Sequence, residues 1–238
     1  MLKKIIILLV IFSMTVPCIS KAEKNYINAR DFGVVGDGIA DDTDALQSAI
    51  DSAKERGLAI NIPSGIYNYS YHLDIDGTTV WGDGADNTIL NATRYNYQAI
   101  YMSGNSPKLY KLTIRGKNPM RNSDRGGNGI YIQNANGYEV ASCRIESAGG
   151  TAIMTENSQN GKIIHNEILN SGADGIYTTE GTHNVEIAYN RLYNTGDDAI
   201  SVTSYASGDE DKKLVHDVDI HHNRMSGNRT CRNITVNG

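Results

Sequence analysis

Along the second half of the chain, apolar and polar positions alternate in short runs and then start again. Asn128-Gly129-Ile130, Thr151-Ala152-Ile153, Asp174-Gly175-Ile176 and Asp198-Ala199-Ile200 mark the restarts, so the isoleucines recur every 23 to 24 residues. A fixed period of this length predicts a stacked solenoid rather than a layered domain. A second column keeps the register: Ile145, Ile168, Leu192 and Met225 each follow by two residues Cys143, Asn166, Asn190 and Asn223. Between the columns, Lys162–Ile164, Asn184–Ile187 and Asp217–Ile220 alternate as half-buried strands do. Helical periodicity is absent there. Three short strands per coil predict an all-β, right-handed parallel β-helix with coils about 4.8 Å apart. Asparagine tolerates left-handed backbone and bonds locally at turns, so the recurring Asn predicts a structural ladder at one corner.

Upstream the pattern changes. A glycine-punctuated turn, Asp31-Phe32-Gly33-Val34-Val35-Gly36-Asp37-Gly38, leads into Asp41-Asp42-Thr43-Asp44 and then Ala45, Leu46, Ala49, Ile50 and Ala53. Asp or Thr caps a helix, and the apolar spacing gives it one buried face. A solenoid exposes an open hydrophobic end, which this helix is expected to plug. Aromatics are only 7% of the chain, as suits coils filled by aliphatic side chains.

Residues 1–22 read as a secretory signal peptide: Lys3 and Lys4, an apolar run from Ile5 to Val16, then Ser20-Lys21-Ala22 with small residues for cleavage. The run is shorter than the ~20 residues of a membrane span. The expectation is therefore a secreted or periplasmic domain over 23–238, with no stable membrane insertion after cleavage. The formal charge is −5, and losing the three leader lysines makes it more negative, which argues against nucleic acid as a partner. Cys143 and Cys231 fall four coils apart, about 19 Å, too far for a disulfide, and are expected to be buried thiols. Ile234–Val236 begins another coil just before Gly238, which predicts an incomplete C-terminus.

The run DFGVVGDGIADDTDALQSAIDSA, followed by INIPSGIY and VWGDG, resembles the pectate-lyase superfamily, in particular the domain of rhamnogalacturonases, alginate epimerases and polysaccharide depolymerases. Its motif is specific for the fold and not for the reaction, because this architecture hosts hydrolases, lyases, epimerases and binding modules. Asn170-Ser171-Gly172-Ala173-Asp174-Gly175-Ile176 and Asn194-Thr195-Gly196-Asp197-Asp198-Ala199-Ile200 resemble the polygalacturonase-type glycoside hydrolases. That resemblance implies Asp197 as general acid, with Asp174 and Asp198 holding the attacking water. It then breaks, because Arg232 stands where those enzymes carry a histidine.

Stacking by itself places Asp174 beside Asp198, with Asp197 adjoining, and close carboxylates raise one another's pKa. Tyr177 and Ser201 point outward by alternation and, with Arg232, are candidate sugar contacts. Two further readings stay open. Clustered acids under an arginine suit a Ca²⁺-dependent polysaccharide lyase; otherwise no cofactor is expected. The same column is also a self-neutralising salt bridge in ordinary turns, as in a non-catalytic glycan-binding or assembly module. Arg115, Lys117, Arg121 and Arg125 lie in the enlarged connection between Ile100 and Ile130, from which they could overhang the groove and meet an acidic glycan. The Ser204–His216 insertion is placed to wall the site. His221 and His222 fall at the asparagine corner, on another face. The expected function is cleavage of a polysaccharide, an acidic one among the candidates, by hydrolysis.

Overall fold

A computed structural model describes residues 25–117, 120–121, 123–204, 214–227 and 232–237. The leader, Cys231 and most of the Ser204–His216 insertion lie outside the described residues. The described chain is a parallel β-helix in which every inter-coil strand pair is parallel. One coil reads Ile130–Asn136, Glu139–Ala141 and Arg144–Glu146. Its first strand stacks on Ile100–Asn105 and under Ile153–Glu156, Ile176–Thr179, Ile200–Thr203 and Ile234–Asn237. Two sheets of 15 and 8 strands wrap the axis, with the right-handed sense that parallel crossovers impose.

The repeating isoleucines are direct register partners: Ile130 with Ile153, Ile153 with Ile176, and Ile176 with Ile200. All four are fully buried. The second column is equally in register, from Ile145 through Ile168 and Leu192 to Met225. The aliphatic-core expectation holds for these two columns. It fails nearer the start, where Tyr67 and Tyr69, and further on Tyr138, are the largest fully buried side chains. Burial is tolerable because the Tyr69 hydroxyl donates to the Gln98 carbonyl at 2.6 Å and that of Tyr67 to the Pro63 carbonyl at 2.7 Å. Tyr138 demands a glycine above it: a Cβ at Gly161 would come within 1.9 Å of the ring.

Helix Thr43–Glu55 buries Leu46, Ala49, Ile50 and Ala53 against the first coil, closing the apolar end. Asp42 occupies the N-cap position but does not cap through its side chain. Its carboxylate instead accepts the amides of Val35 at 2.6 Å and Gly36 at 3.0 Å, tying the preceding turn to the helix. Asp41 takes over the local role, accepting from the Thr43 amide at 3.1 Å.

The asparagine ladder is present, but left-handed backbone is not its cause. Positive φ falls on the residue just before it, at Ser142, His165, Tyr189 and His222. Asparagine earns its place by hydrogen bonding. Asn166 Oδ1 accepts the buried Cys143 amide at 3.0 Å, and its Nδ2 donates to the Val140 carbonyl at 2.9 Å and to Asn190 Oδ1 at 3.1 Å. Asn190 and Asn223 repeat the pattern. His165, Tyr189 and His222 stack outside this corner, so His221 and His222 do lie away from the aspartates. Cys143 is buried against the Leu109 and Ala141 carbonyls, and burial pushes its thiol up to about 12.

Truncating the ladder leaves a buried amide and carbonyl unpaired. Asn166→Ala is expected to cost about 2–4 kcal/mol in urea unfolding. Asn136, whose side chain pairs with Asn160 at the exposed surface, supplies the control: its alanine variant should stay within about 0.5 kcal/mol.

Candidate active site

The turn from the third strand of one coil to the first strand of the next builds the site. Ser171 and Thr195 hydroxyls each donate to the backbone carbonyl two residues on, at 2.9 Å in both turns. Asn170 and Asn194 take left-handed φ values of 59° and 58°, and their side chains bond to each other across the coils at 2.6 Å. A Cβ at Gly196 would lie 2.3 Å from the Gly172 carbonyl oxygen, so close stacking of these turns requires glycine. The two polar motifs are thus first of all turn chemistry. What they hold is a row of side chains two residues before each isoleucine.

That row normally has a structural task. Asn128 Oδ1 accepts the Thr151 amide at 3.0 Å, one coil on. Asp198 does the same for the Arg232 amide, also at 3.0 Å. At Asp174 the pattern lapses, because the Asp198 amide donates to Asp197 Oδ1 at 3.1 Å instead. Asp174 is thereby released from backbone duty.

One oxygen from each of Asp174, Asp197 and Asp198 lies within 4.8 Å of the others. Two arginines balance them. Arg121 Nη1 meets Asp197 Oδ2 at 2.6 Å, and the Arg232 guanidinium grips Asp198 through Nε and Nη2, both at 3.2 Å. The Thr235 hydroxyl also donates to Asp198, so that carboxylate is only 3% exposed and carries four donors. Asp174 is the member with no ion pair among the described residues. Burial, followed by the charges of Asp197 and Asp198, lifts its pKa to about 6, against a weaker opposing pull from Arg121.

The groove around the cluster is lined by Tyr177, Ser201, Arg232 and Arg121, and encloses about 460 Å3. All six sequence candidates therefore converge. Ser201 is less available than alternation implied: it is 6% exposed, with its hydroxyl 3.3 Å from that of Thr203. Arg232 forms the salt bridge that the self-neutralising reading anticipated. Of the basic loop, Arg121 reaches the aspartates and Arg125 pairs with Glu156 at 3.2 Å beside the groove. Arg115 turns away to Glu146, on the strand that carries Ile145. Thr235 escaped sequence reasoning, although its place in register with Ser201 was readable from the repeat.

A parallel β-helix with a carboxylate groove along its first column defines a class, and the chain belongs to the rhamnogalacturonase A/epimerase, pectate lyase-like family, whose model matches residues 26–238. Alginate lyase 7 of Azotobacter vinelandii is 54% identical over 44 residues, covering 18% of this chain and 5% of that protein. Among solved structures, the catalytic unit of a GH87 α-1,3-glucanase from Streptomyces thermodiastaticus superposes with a TM-score of 0.75 at 21% identity, over 91% of this chain and 40% of that one. A family 28 exopolygalacturonase from Yersinia enterocolitica gives 0.60 at 17% identity, over 91% and 51%. The chain thus spans 5% to 51% of these relatives' lengths.

The raised pKa makes Asp174 a stability liability at neutral pH. Its folded value, about 6, exceeds the ordinary carboxylate value of 3.8, so the stability tied to its proton is complete below about pH 4 and lost as pH rises through about 6. Asp174→Asn keeps that site neutral. It should unfold at higher urea than wild type at about pH 7.5, by some ~1–3 kcal/mol, and match wild type near about pH 4.

Proposed function

We propose that this chain is a secreted polysaccharide-cleaving enzyme whose proton donor is Asp174. One observation carries the reading: three carboxyls share a groove, and two are held by arginines while the third titrates near neutrality. A glycosidase needs such an inequality, with one carboxylic acid to protonate the leaving oxygen and one carboxylate to activate water. Asp197, paired with Arg121, is the carboxylate facing the groove. Asp198 is saturated with donors and positions Arg232 and Thr235. This exchanges the roles of Asp174 and Asp197 relative to the polygalacturonase resemblance. Arg121, Arg125 and Arg232, with side chains 63%, 50% and 65% exposed, rim the groove and support an acidic, uronate-bearing chain. The leader pattern of residues 1–22 supports export.

The carboxylates are hard oxygen donors of the kind Ca²⁺ takes, yet Asp197 and Asp198 are already committed to arginines. A divalent cation would have to displace two guanidinium groups, so the geometry favours hydrolysis over Ca²⁺-dependent elimination. The same lifted pKa argues against a purely binding module, which gains nothing from destabilising a carboxylate.

The test is a panel of alginate, polygalacturonate, rhamnogalacturonan and α-1,3-glucan, read for new reducing ends and for ultraviolet absorbance of an unsaturated product. Reducing ends should form without unsaturation and persist in chelator; unsaturated ends lost in chelator would establish elimination instead. Turnover should fall as pH rises above about 6, as the Asp174 proton is lost. Asp174→Asn should cut turnover by about 10²–10⁴-fold, and should recover on an aryl glycoside whose leaving group needs no proton. Recovery in Asp197→Asn alone would restore the roles that the resemblance implied.

A further inference from the structure

Four coils from the aspartates, the same turn row ends in exposed aromatic rings that the cleavage chemistry does not use. Tyr97 stands three residues before Ile100, as Asp197 stands three before Ile200. The intervening turns are stitched by backbone hydrogen bonds, from Asp197 to Ala173, from Ala173 to Gly150, from Gly150 to Gly127, and from Gln98 to Gly126. At one coil per ~4.8 Å, the two ends of this row are about 19 Å apart.

Tyr97 stacks on Tyr71 at 5.0 Å and 25° between planes, and Tyr71 packs on His72 at 4.0 Å. His72 in turn meets the edge of Tyr101 at 4.7 Å. From Tyr101 the outward positions of the first column run in register through Tyr131, Met154 and Tyr177 to Ser201 beside the aspartates. The groove floor is therefore continuous from the cluster to the aromatic end.

These rings are not placed as packing. Tyr69, one turn away, fills the coil with no exposed surface, whereas Tyr71 is 48% and Tyr97 41% exposed. A rigid aromatic face with a polar edge suits a ligand that offers both C–H faces and hydroxyls. The neighbouring His72 and Asp74, 3.7 Å apart, add polar groups at the rim.

Building on the proposed function, we infer that Tyr71 and Tyr97 form a distal sugar-binding platform for the same polysaccharide chain that is cleaved at Asp174. The chain then lies along the solenoid axis, held by ring stacking at one end and presented to the carboxylates at the other. Long chains engage both places, whereas short oligosaccharides engage only the cluster.

The test uses the full chain with Tyr71→Ala/Tyr97→Ala and Tyr71→Phe/Tyr97→Phe double variants, each checked by far-ultraviolet circular dichroism. On the polymers of the panel that are cleaved, the alanine variant should raise KM about tenfold. Its kcat/KM on the shortest oligosaccharide cleaved should stay within about twofold, and the phenylalanine variant should match wild type on both. An unchanged polymer KM, or equal loss on short and long substrates, overturns the platform and leaves the proposed function standing. Should no polymer be cleaved, the proposed function falls, and affinity electrophoresis in gels cast with the same polymers decides the platform separately. Retardation of wild type that is lost in the alanine variant and kept in the phenylalanine variant upholds it. Equal mobility of all three overturns it.

Discussion

Everything in this molecule depends on the parallel hydrogen-bond register between successive coils. A backbone amide in one coil meets a carbonyl in the next, and the pairing persists through the turns as well as the strands. Because register is kept through the turns, residues one period apart in sequence become neighbours at about 4.8 Å. Isoleucine stacks on isoleucine inside, asparagine on asparagine at the corner, and carboxylate on carboxylate in the groove. The first two stackings stabilise the coil. The third costs stability, and the surrounding ladder is what permits it.

The same register explains why three similar carboxyls behave differently. The row that contains them is a hydrogen-bonding row, in which a side chain accepts the amide one coil on. Asp198 performs that task and receives Arg232 and Thr235 in addition. Asp197 intercepts the Asp198 amide and meets Arg121 across the groove. Asp174 is left with burial and two neighbouring negative charges, which together raise its pKa. Burial and unequal pairing thus set Asp174 apart from its two arginine-paired neighbours, and this kind of inequality characterises proton-transfer sites.

The N-terminal coils differ in both filling and surface. Their interior holds tyrosines that donate to carbonyls, and their groove edge carries rings open to solvent. A solenoid can vary the two independently, since strand alternation assigns one residue to the core and the next to the surface. The helix that closes the end is likewise decoupled from the site: it buries Leu46, Ala49, Ile50 and Ala53 and is tied to the coils by Gln47, which bonds the Asp74 backbone.

Much of this was legible in the order of residues. The 23- to 24-residue period established the coils, the isoleucine column and the proximity of Asp174, Asp197 and Asp198, because a period needs no tertiary information to predict neighbours, and the apolar spacing upstream gave the capping helix. The alternation put Tyr177 and Ser201 on the groove side for the same reason. Tertiary structure alone decided the rest. Arg121 lies 76 residues before Asp197, in a connection whose length breaks the period, so only the folded path of that loop brings them together. Which asparagines are left-handed, which aspartate accepts which amide, and how deeply Ser201 is covered all depend on backbone geometry within a turn. Residue identity leaves those choices open; packing between neighbouring turns closes them.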